Sequence, residues 1–459
     1  MQPLEIPEEN FQTYYDDPNI TDIYITGDLH GDLPNLIVLL RDCAGVIYKS
    51  AYNGDKIDEE MIKYLEFNEY DKIMSGINGY DHAMGYEWIG NNKYVVFVGD
   101  LIDNYRSTIS DLGDPTRTHF EYPYEELKIY LFINALNKQI RTTPGKSGKL
   151  IKLVGNHELM NMNGHSDRNC SEYSKKNEFN YGYQYGEPLD RTNFFSAGNP
   201  GMEILFAEGG IGVVAKIKDF VCMHGGPCGD LLGENFEALK NKKFTFDKLN
   251  KYLKKYMFTK DKENEYETII DNSIKQKTHG GILWCRKFGS FSNNKDPYRM
   301  NKLCGDLYKF FEAICNHEKK CSNNTRLVIA HCIQSFNAES MSSHSNIMID
   351  NTNIVDIINV PIIENTSDVK TGIIHGITVE CSRNGNNNDP ALFRVDVGMS
   401  RAFDMPEKFY LEKIKESLLS TQTKQPKILN NEMAINIVKH LISRSPQLLH
   451  IKCIGEHQY

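Results

Sequence analysis

The sequence has no basic block, no apolar run of transmembrane length and no secretory signal. Its net charge of −9 is spread over 459 residues without a cluster of lysine or arginine, so an extended nucleic-acid surface has little electrostatic support. A membrane helix needs about 18 or more consecutive apolar residues, and no such run occurs. The first residues also lack a basic segment followed by an apolar one. We therefore expect an intracellular, cytoplasmic protein with neither nucleic acid nor a membrane as its partner.

The cysteines also lack a familiar spacing, since the eleven of them form no C-x-x-C pair. Several, such as Cys222 and Cys332, lie within apolar runs, where a small buried thiol is the simplest interpretation. The sequence therefore predicts free thiols, which agrees with a reducing compartment.

Hydrophobic residues make up 40% of the chain and charged residues 25%, a balance typical of a globular protein with a sizeable core. The chain is longer than an average domain. We assign residues 1–405 to one domain with an insertion at about 50–92, because that stretch is too long for a simple connection. Amphipathic helical patterns at 406–420 and 432–443 predict a helical C-terminal extension over 406–459.

Five apolar runs each stop at a polar cluster and are predicted to be buried strands. Helical patterns at 33–41 and 124–139 alternate with them, which indicates an α/β fold. Such sheets bind ligands beyond the carboxyl ends of their strands, so the polar clusters are expected to converge. Segments 373–379 and 392–397 predict a late antiparallel pair around a turn at 383–389. The five predicted strands are 22–26, 94–98, 150–154, 220–223 and 326–330.

Each polar cluster contains a side chain that can bind a metal ion. Carboxylate and imidazole donors together suit Mn, Fe or Zn better than Ca or Mg. Asp100 has two carboxylate oxygens and is predicted to bridge two ions about 3.5–4 Å apart. The predicted ligands are Asp28, His30 and Asp100 for one ion, and Asp100, Asn156, His224 and His331 for the other.

Any one of these residues alone is more readily a turn aspartate or a hydrogen-bonded histidine than a metal ligand. Together they are hard to explain by packing, which favours apolar or turn residues at the ends of five successive strands. A zinc-protease helix is the competing interpretation of His157 and Glu158, but Asn161 stands where that motif needs its second histidine.

Longer motifs surround these residues. The general ones, GDxHG, GDxxD, GNHE and two single histidines, lie at 27–31, 99–103, 155–158, 224 and 331. The more specific GNHELMN, HGG, WxR and RVDVGMSRAF lie at 155–161, 224–226, 284–286 and 394–403. With these motifs the chain resembles the calcineurin-like metallophosphoesterases, and within them the Shewanella-like phosphoprotein phosphatases. The resemblance covers roughly residues 20–405.

The resemblance implies a β-sandwich of mixed sheets flanked by helices, with two divalent or trivalent ions of Mn, Fe or Zn as cofactors. It implies hydrolysis of phosphate monoesters by a metal-bridging hydroxide, without a phosphoenzyme. His157 would protonate the leaving group, and Asp103 would orient its imidazole. Arg286 would bind the phosphoryl oxygens.

Two positions depart from the family pattern. Arginine usually follows GDxxD, whereas this chain has Asn104 there and an arginine only at Arg106. Whether Arg106 makes the missing phosphate contact is open. Cys332 follows His331 where the family commonly has threonine, so a thiol lies beside a predicted ligand, either buried and inert or sensitive to oxidation.

Several functions stay open. A protein phosphatase would act on phosphotyrosine or on phosphoserine and phosphothreonine, with a phosphorylated protein or a small phosphoester as partner. A dinucleoside polyphosphate hydrolase, a nucleotidase or a phosphodiesterase could use the same metal set, and an inactive metal-binding scaffold is suggested by Asn104. The tyrosine-rich segments 79–88 and 173–195 are expected to form aromatic walls beside the metals, which would favour phosphotyrosine.

Overall fold

The computed structural model describes a large part of the chain. The described residues are 11–31, 33–49, 85–103, 125–162, 182–184, 187–189, 191–196, 199–228, 231–232, 245–259, 281–290, 297–318, 324–332, 369–371, 378–383, 386–395 and 448–453.

Strands and helices alternate along these residues. The strands are β1 (Tyr14–Tyr15), β2 (Asp22–Thr26), β3 (Ile47–Lys49), β4 (Tyr86–Trp88), β5 (Lys93–Phe97), β6 (Lys149–Lys152), β7 (Gly182–Gln184), β8 (Glu187–Leu189), β9 (Val214–Ile217), β10 (Phe220–Met223), β11 (Arg326–Ile329), β12 (Val369–Thr371), β13 (Thr378–Arg383), β14 (Asn386–Arg394) and β15 (Leu449–Cys453). The helices are α1 (Leu33–Val38) with a π-helical turn (Leu39–Cys43), α2 (Glu125–Thr142), α3 (Asn156–Met162), α4 (Arg191–Phe194), α5 (Pro200–Phe206), α6 (Phe246–Thr259), α7 (Lys287–Ser290) and α8 (Pro297–Glu318).

A five-stranded sheet has the order β12-β15-β2-β5-β6. The three strands β2, β5 and β6 run parallel, and they correspond to the first three predicted strands. Their side chains are almost wholly buried, as expected of strands covered on both faces. Parallel direction brings their carboxyl ends to one edge of the sheet.

A six-stranded sheet has the order β1-β9-β10-β11-β14-β13. In it β10 pairs parallel with β11, the other two predicted strands, and β13 pairs antiparallel with β14. The predicted pairing of 373–379 with 392–397 is confirmed where it can be compared, because Thr378 pairs with Arg394 and Val379 with Phe393. Residues 373–377 lie outside the described part of the chain. The predicted turn at 383–389 is wrong, since β13 runs to Arg383 and β14 already begins at Asn386.

One hydrophobic cluster joins the two sheets. It combines Ile23 and Val96 of the five-stranded sheet with Ala215, Cys222 and Val328 of the six-stranded sheet. An isolated parallel bridge between Leu153 and Gly212 also links the end of β6 to the segment before β9. A larger cluster packs the helices against the remaining sheet surfaces.

Helix α2 completes the edge strand β6. The Asn137 amide donates to the Leu150 carbonyl at 2.8 Å and accepts from the Leu150 N–H at 3.0 Å. These bonds satisfy backbone groups that an edge strand would otherwise leave unpaired.

The predicted helices 124–139 and 33–41 correspond to α2 and to α1 with its π-helical turn.

The end of the predicted insertion at 50–92 belongs to the packed core. Strand β4 pairs with β3 in a small antiparallel sheet, and Trp88 is 1% exposed. The Trp88 indole N–H donates to the Ser147 carbonyl at 2.7 Å, which fixes β4 beside the loop after α2. Residues 50–84 lie outside the described residues.

The end of the chain differs from the predicted helical extension at 406–459. Strand β15 lies between β12 and β2 and pairs antiparallel with β2. Leu449 and Ile451 are wholly buried in the cluster between the sheets, so alternating burial stabilises a strand here. The helical patterns at 406–420 and 432–443 lie outside the described part of the chain.

The cysteines differ from the prediction of free thiols. Cys228 is bonded to Cys285, and Cys304 to Cys381. The thiol argument for a reducing compartment is therefore wrong for these four residues. Cys222 is free and buried as predicted, Cys332 is buried, and burial raises the pKa of the Cys222 thiol well above its ordinary value. Among the described helices, none combines the length and apolarity needed to cross a membrane.

Candidate metal centre

The five predicted polar clusters meet at one place in the structure. The loop after β2 is hydrogen-bonded to the loop after β5, because the backbone N–H groups of Leu29 and His30 both donate to the Asp100 carbonyl, at 3.0 and 2.9 Å. In the other sheet, the Ala330 N–H donates to the His224 carbonyl at 2.8 Å. Three predicted ligand loops thus come from one sheet and two from the other.

Asp100 lies at the centre of this cluster. Its Oδ2 is 3.8 Å from His30 Nε2, 3.9 Å from His157 Nε2 and 3.2 Å from His224 Nε2. Two groups of donors, each within 4.8 Å internally, share this carboxylate. They are His30, Asp100 and His157 in the first group, and Asp100, His224 and His331 in the second.

Asp28 and Asn156 complete the arrangement. Asp28 Oδ2 lies 3.8 Å from His30 Nε2, and its Oδ1 lies 3.8 Å from His224 Nδ1. Asn156 Oδ1 is 2.9 Å from His224 Nε2. All six predicted metal ligands are therefore brought together by the fold, and each has at most 7% of its surface exposed.

Backbone carbonyls orient two of the histidines. His30 Nδ1 lies 3.1 Å from the Ile102 carbonyl and 3.0 Å from the Asp103 carbonyl, while His224 Nδ1 lies 2.7 Å from the Val98 carbonyl. A carbonyl only accepts, so Nδ1 is the donor in each ring, which leaves Nε2 as the atom that faces the donor groups. This is the usual outer contact of a metal-binding histidine.

His331 has a buried atom without a protein partner. Its Nε2 accepts and donates no hydrogen bond among the described residues, although its ring packs against that of His224 at 4.9 Å between centroids. Burial lowers the pKa of His331 well below its ordinary value, and the charges of His224 and Arg286 lower it further. A neutral, buried and unpartnered imidazole nitrogen fits a metal ligand.

The carboxylates and histidines of the cluster stabilise opposite charges in one another. Burial alone would raise the pKa of Asp100, but His224, His157 and His30 together lower it well below its ordinary value. Burial opposes charge on His224 too, yet Asp100 and Asp28 raise the pKa of His224 to about 10. The centre therefore favours a positive charge, whether a proton or a metal ion supplies it.

Four of the site residues have left-handed backbone conformations. The φ angles are 45° for His30, 53° for Asp100, 65° for Asp103 and 65° for His331. Such conformations are costly for residues other than glycine and collect at functional sites. Glycines allow the loops to approach, since a Cβ at Gly155 would overlap the Asp100 carboxylate.

His157 is held by an aspartate and an asparagine. His157 Nδ1 is 2.8 Å from Asp103 Oδ2, and the Asn161 amide donates to the same oxygen at 3.0 Å and to the His157 carbonyl at 2.9 Å. The His157 side chain is 14% exposed, more than the predicted ligands around it. The contact of Asn161 was missed from the sequence, although its position four residues after His157 on α3 was a signal for it.

Arg286 lies at the exposed rim of the centre. It is exposed, and Trp284 is half-buried with its ring edge-on to His331, 6.1 Å between centroids. The loop that carries both residues is fastened to the His224 loop, because the Gly225 N–H donates to the Ile282 carbonyl at 2.8 Å and Cys285 is bonded to Cys228. Arg106 and Asn104 lie outside the described residues.

The predicted aromatic walls differ from the structure where they can be compared. Tyr86, Trp88, Phe194 and Phe195 are buried in the larger hydrophobic cluster, so their rings stabilise the core and offer no surface to a substrate. Most other residues of 79–88 and 173–195 lie outside the described part of the chain. Of the aromatic rings described here, Trp284 contacts a predicted ligand from the exposed side.

Comparison with known proteins gives limited similarity. No protein-family model matches the chain. An uncharacterized protein of Schizosaccharomyces pombe is 26% identical over 144 residues, which is 31% of this chain and 27% of that protein, so the match spans about a quarter of the relative's length.

Solved structures of a cold-active protein tyrosine phosphatase also match. One has 17% identity and a TM-score of 0.39 over 71% of this chain and 68% of that chain. Another, from a psychrophilic Shewanella species, has 15% identity and a TM-score of 0.36 over 72% of each chain. TM-scores this low do not establish a common fold.

Proposed function

We propose that this chain is a phosphatase of the metallophosphoesterase type that binds two metal ions and hydrolyses phosphate monoesters. The observation that carries the proposal is the position of Asp100, whose Oδ2 lies within 3.9 Å of three imidazole nitrogens and which belongs to both donor groups. The shared hydrophobic cluster between the two sheets supports the expected sandwich architecture.

The donor set supports Mn, Fe or Zn as the ions. Imidazole nitrogens and carboxylate oxygens dominate it, and no thiolate of the described residues belongs to either donor group. Asp28, His30 and Asp100 would hold one ion, and Asp100, Asn156, His224 and His331 the other. When bound, two such ions activate water as a nucleophile and offset the charge that develops on the phosphoryl group.

His157 is the proposed general acid. Because Asp103 accepts the Nδ1 proton at 2.8 Å, the ring is fixed with Nε2 facing the same space as Asp100 Oδ2, 3.9 Å away. Its partial exposure leaves a path for a substrate oxygen. A proton on Nε2 would pass to the leaving alkoxide or phenoxide, and the Asp103 carboxylate would stabilise the charged imidazole before that transfer.

Arg286 is the proposed phosphate-binding residue. A planar guanidinium can bind two phosphoryl oxygens at once, and Arg286 is exposed on a loop that is fastened beside His224. We assign Arg106 no role beyond the sequence-based prediction.

For the substrate we propose a phosphorylated protein, with phosphotyrosine preferred over phosphoserine and phosphothreonine. The half-buried Trp284 ring beside His331 supports this choice, because a flat apolar surface next to the reacting phosphate favours a phenyl ester. Nucleobases also stack on such a ring, so a dinucleoside polyphosphate is the competing substrate.

One experiment tests the class of reaction. The purified protein is loaded with Mn²⁺, its bound metal is counted, and it is assayed on phosphotyrosine and phosphoserine peptides, a dinucleoside polyphosphate and a phosphodiester. We expect two ions per chain and the highest kcat/KM on phosphotyrosine peptides. Bound metal without turnover of any ester would establish a scaffold, and a faster dinucleotide or diester reaction would refute the protein-phosphatase assignment.

A further inference from the structure

Glu158 gathers backbone donors from two ligand loops. Its Oε1 accepts from the N–H groups of Leu101 at 2.7 Å and Ile102 at 3.3 Å, and its Oε2 accepts from those of Asp100 at 2.9 Å and Gly155 at 2.8 Å. The Glu158 side chain is wholly buried. One carboxylate thus fastens the loop after β5 to the loop after β6.

These contacts determine how Asp100 faces the donor groups. Asp100 has a left-handed backbone conformation with a φ of 53°. Its backbone N–H donates to Glu158, which holds the residue in this conformation. The His157 backbone N–H then donates to Asp100 Oδ1 at 2.9 Å, so this oxygen is anchored and Oδ2 faces His30, His157 and His224. Loss of the Glu158 contacts would free the loop to relax toward an ordinary backbone conformation.

Tyr130 extends this anchor to helix α2. Its hydroxyl donates to Glu158 Oε1 at 3.1 Å, and the tyrosine is wholly buried. The Lys152 ammonium lies 5.8 Å from the centre of the Tyr130 ring, which keeps the ring in place from the side of β6. Helix α2 is therefore connected to the loops after β5 and β6 through the Tyr130 hydroxyl group.

We infer that Tyr130 and Glu158 are positioning residues that set the affinity of both metal positions through Asp100. The inference rests on the proposed function, because it requires that Asp100 bind two ions. Neither residue is among the proposed ligands, and neither contacts a substrate. Mutation of a residue that orients a metal ligand by hydrogen bonding commonly weakens metal affinity by about 10–100-fold.

The test is a titration of metal-free protein with Co²⁺, in which the visible absorption of the bound Co²⁺ measures binding. Wild-type protein is compared with Glu158→Gln, Tyr130→Phe and Tyr15→Phe, and the thermal unfolding of each metal-free variant is measured in parallel. Tyr15 is a matched control, since it is also buried, with 2% of its surface exposed, but lies on β1 at the outer edge of the six-stranded sheet.

We expect Glu158→Gln to weaken both Co²⁺ equivalents by about 10–100-fold. Tyr130→Phe should weaken both by a smaller factor, roughly 3–10-fold, because it removes one hydrogen bond to Glu158 while the four backbone contacts of that carboxylate remain. Tyr15→Phe should leave both affinities and the spectrum unchanged. If Glu158→Gln does not fold, Tyr130→Phe carries the test alone, since it removes one oxygen atom.

Two results would overturn the inference while leaving the proposed function intact. One is a wild-type protein that binds two Co²⁺ ions and a Tyr130→Phe variant with the same affinities and spectrum. The other is an equal loss of affinity in Tyr130→Phe and Tyr15→Phe, which would indicate general destabilisation. A wild-type protein that binds fewer than two ions would instead refute the proposed function itself.

Discussion

The buried centre and the exposed rim of the candidate site are held in different ways. At the centre, donors such as Asp100 and His224 are 1% or less exposed and are fixed by backbone contacts that begin at strand ends. At the rim, Arg286 is exposed on a loop that is attached to the His224 loop by a backbone hydrogen bond and a disulfide. The candidate metal centre is thus held by buried backbone contacts, whereas Arg286 at the rim is open to solvent. Substitutions of the proposed ligands at the centre should therefore change metal content, whereas substitutions at the rim should change kcat/KM alone.

The largest effect should come from Asp100→Asn. This change removes the carboxylate shared by both donor groups, so we expect less than one ion per chain and turnover reduced to background. Metal analysis and a phosphopeptide assay measure both. Asp22→Asn is the control, because Asp22 begins β2 and pairs with His450 at 2.7 Å. A variant that keeps two ions and a normal rate would refute the bridging role.

His157→Asn should separate chemistry from metal binding within the centre. We expect both ions to remain and the rate on phosphoserine peptides to fall about 10²–10⁴-fold, the usual contribution of a general acid. The loss should be smallest for nitrophenyl phosphate, whose leaving group needs little protonation. His450→Asn serves as the histidine control. Equal losses on both substrates would exclude the acid role, and loss of an ion would make His157 a ligand of the first donor group.

Arg286→Ala should affect the rim alone. We expect kcat/KM to fall roughly 10–100-fold, the range for a charged hydrogen-bonding group, with metal content unchanged. Arg286→Lys should recover only part of the loss, since an ammonium cannot bind two phosphoryl oxygens as a guanidinium does. The exposed neighbour Lys287 provides a control by Lys287→Ala. An unchanged kcat/KM in Arg286→Ala would leave phosphate binding to other residues.

The smallest effect on activity should come from the disulfide under the rim. Replacing Cys228 and Cys285 by serine should lower the free energy of unfolding by roughly 2–4 kcal/mol and raise KM a few-fold, because the Arg286 loop loses one attachment. Serine at Cys304 and Cys381 is the matched control, with a similar loss of stability and an unchanged KM. If both double variants change KM equally, the first disulfide has no special part in holding the rim.

Much of the fold was predictable because its signals are local. All five predicted strands are present, with ends shifted by at most two residues, since a continuous apolar run that ends in a polar cluster describes a buried strand and the loop after it. The six metal-binding candidates lie at those ends for the same reason. The C-terminal strand β15 was missed, because its partner β2 lies more than 420 residues earlier in the chain and local periodicity carries no information on such pairing.

By itself, the sequence determined which residue types stand at which strand ends, and hence the donor chemistry of the candidate metal centre. Only the tertiary structure decided that the strands divide between two sheets, that Cys228 meets Cys285, and that Glu158 and Tyr130 secure the loop of Asp100. The physical reason is that a side chain's chemistry is a local property, whereas its partners depend on which distant segments the packing of the core brings together.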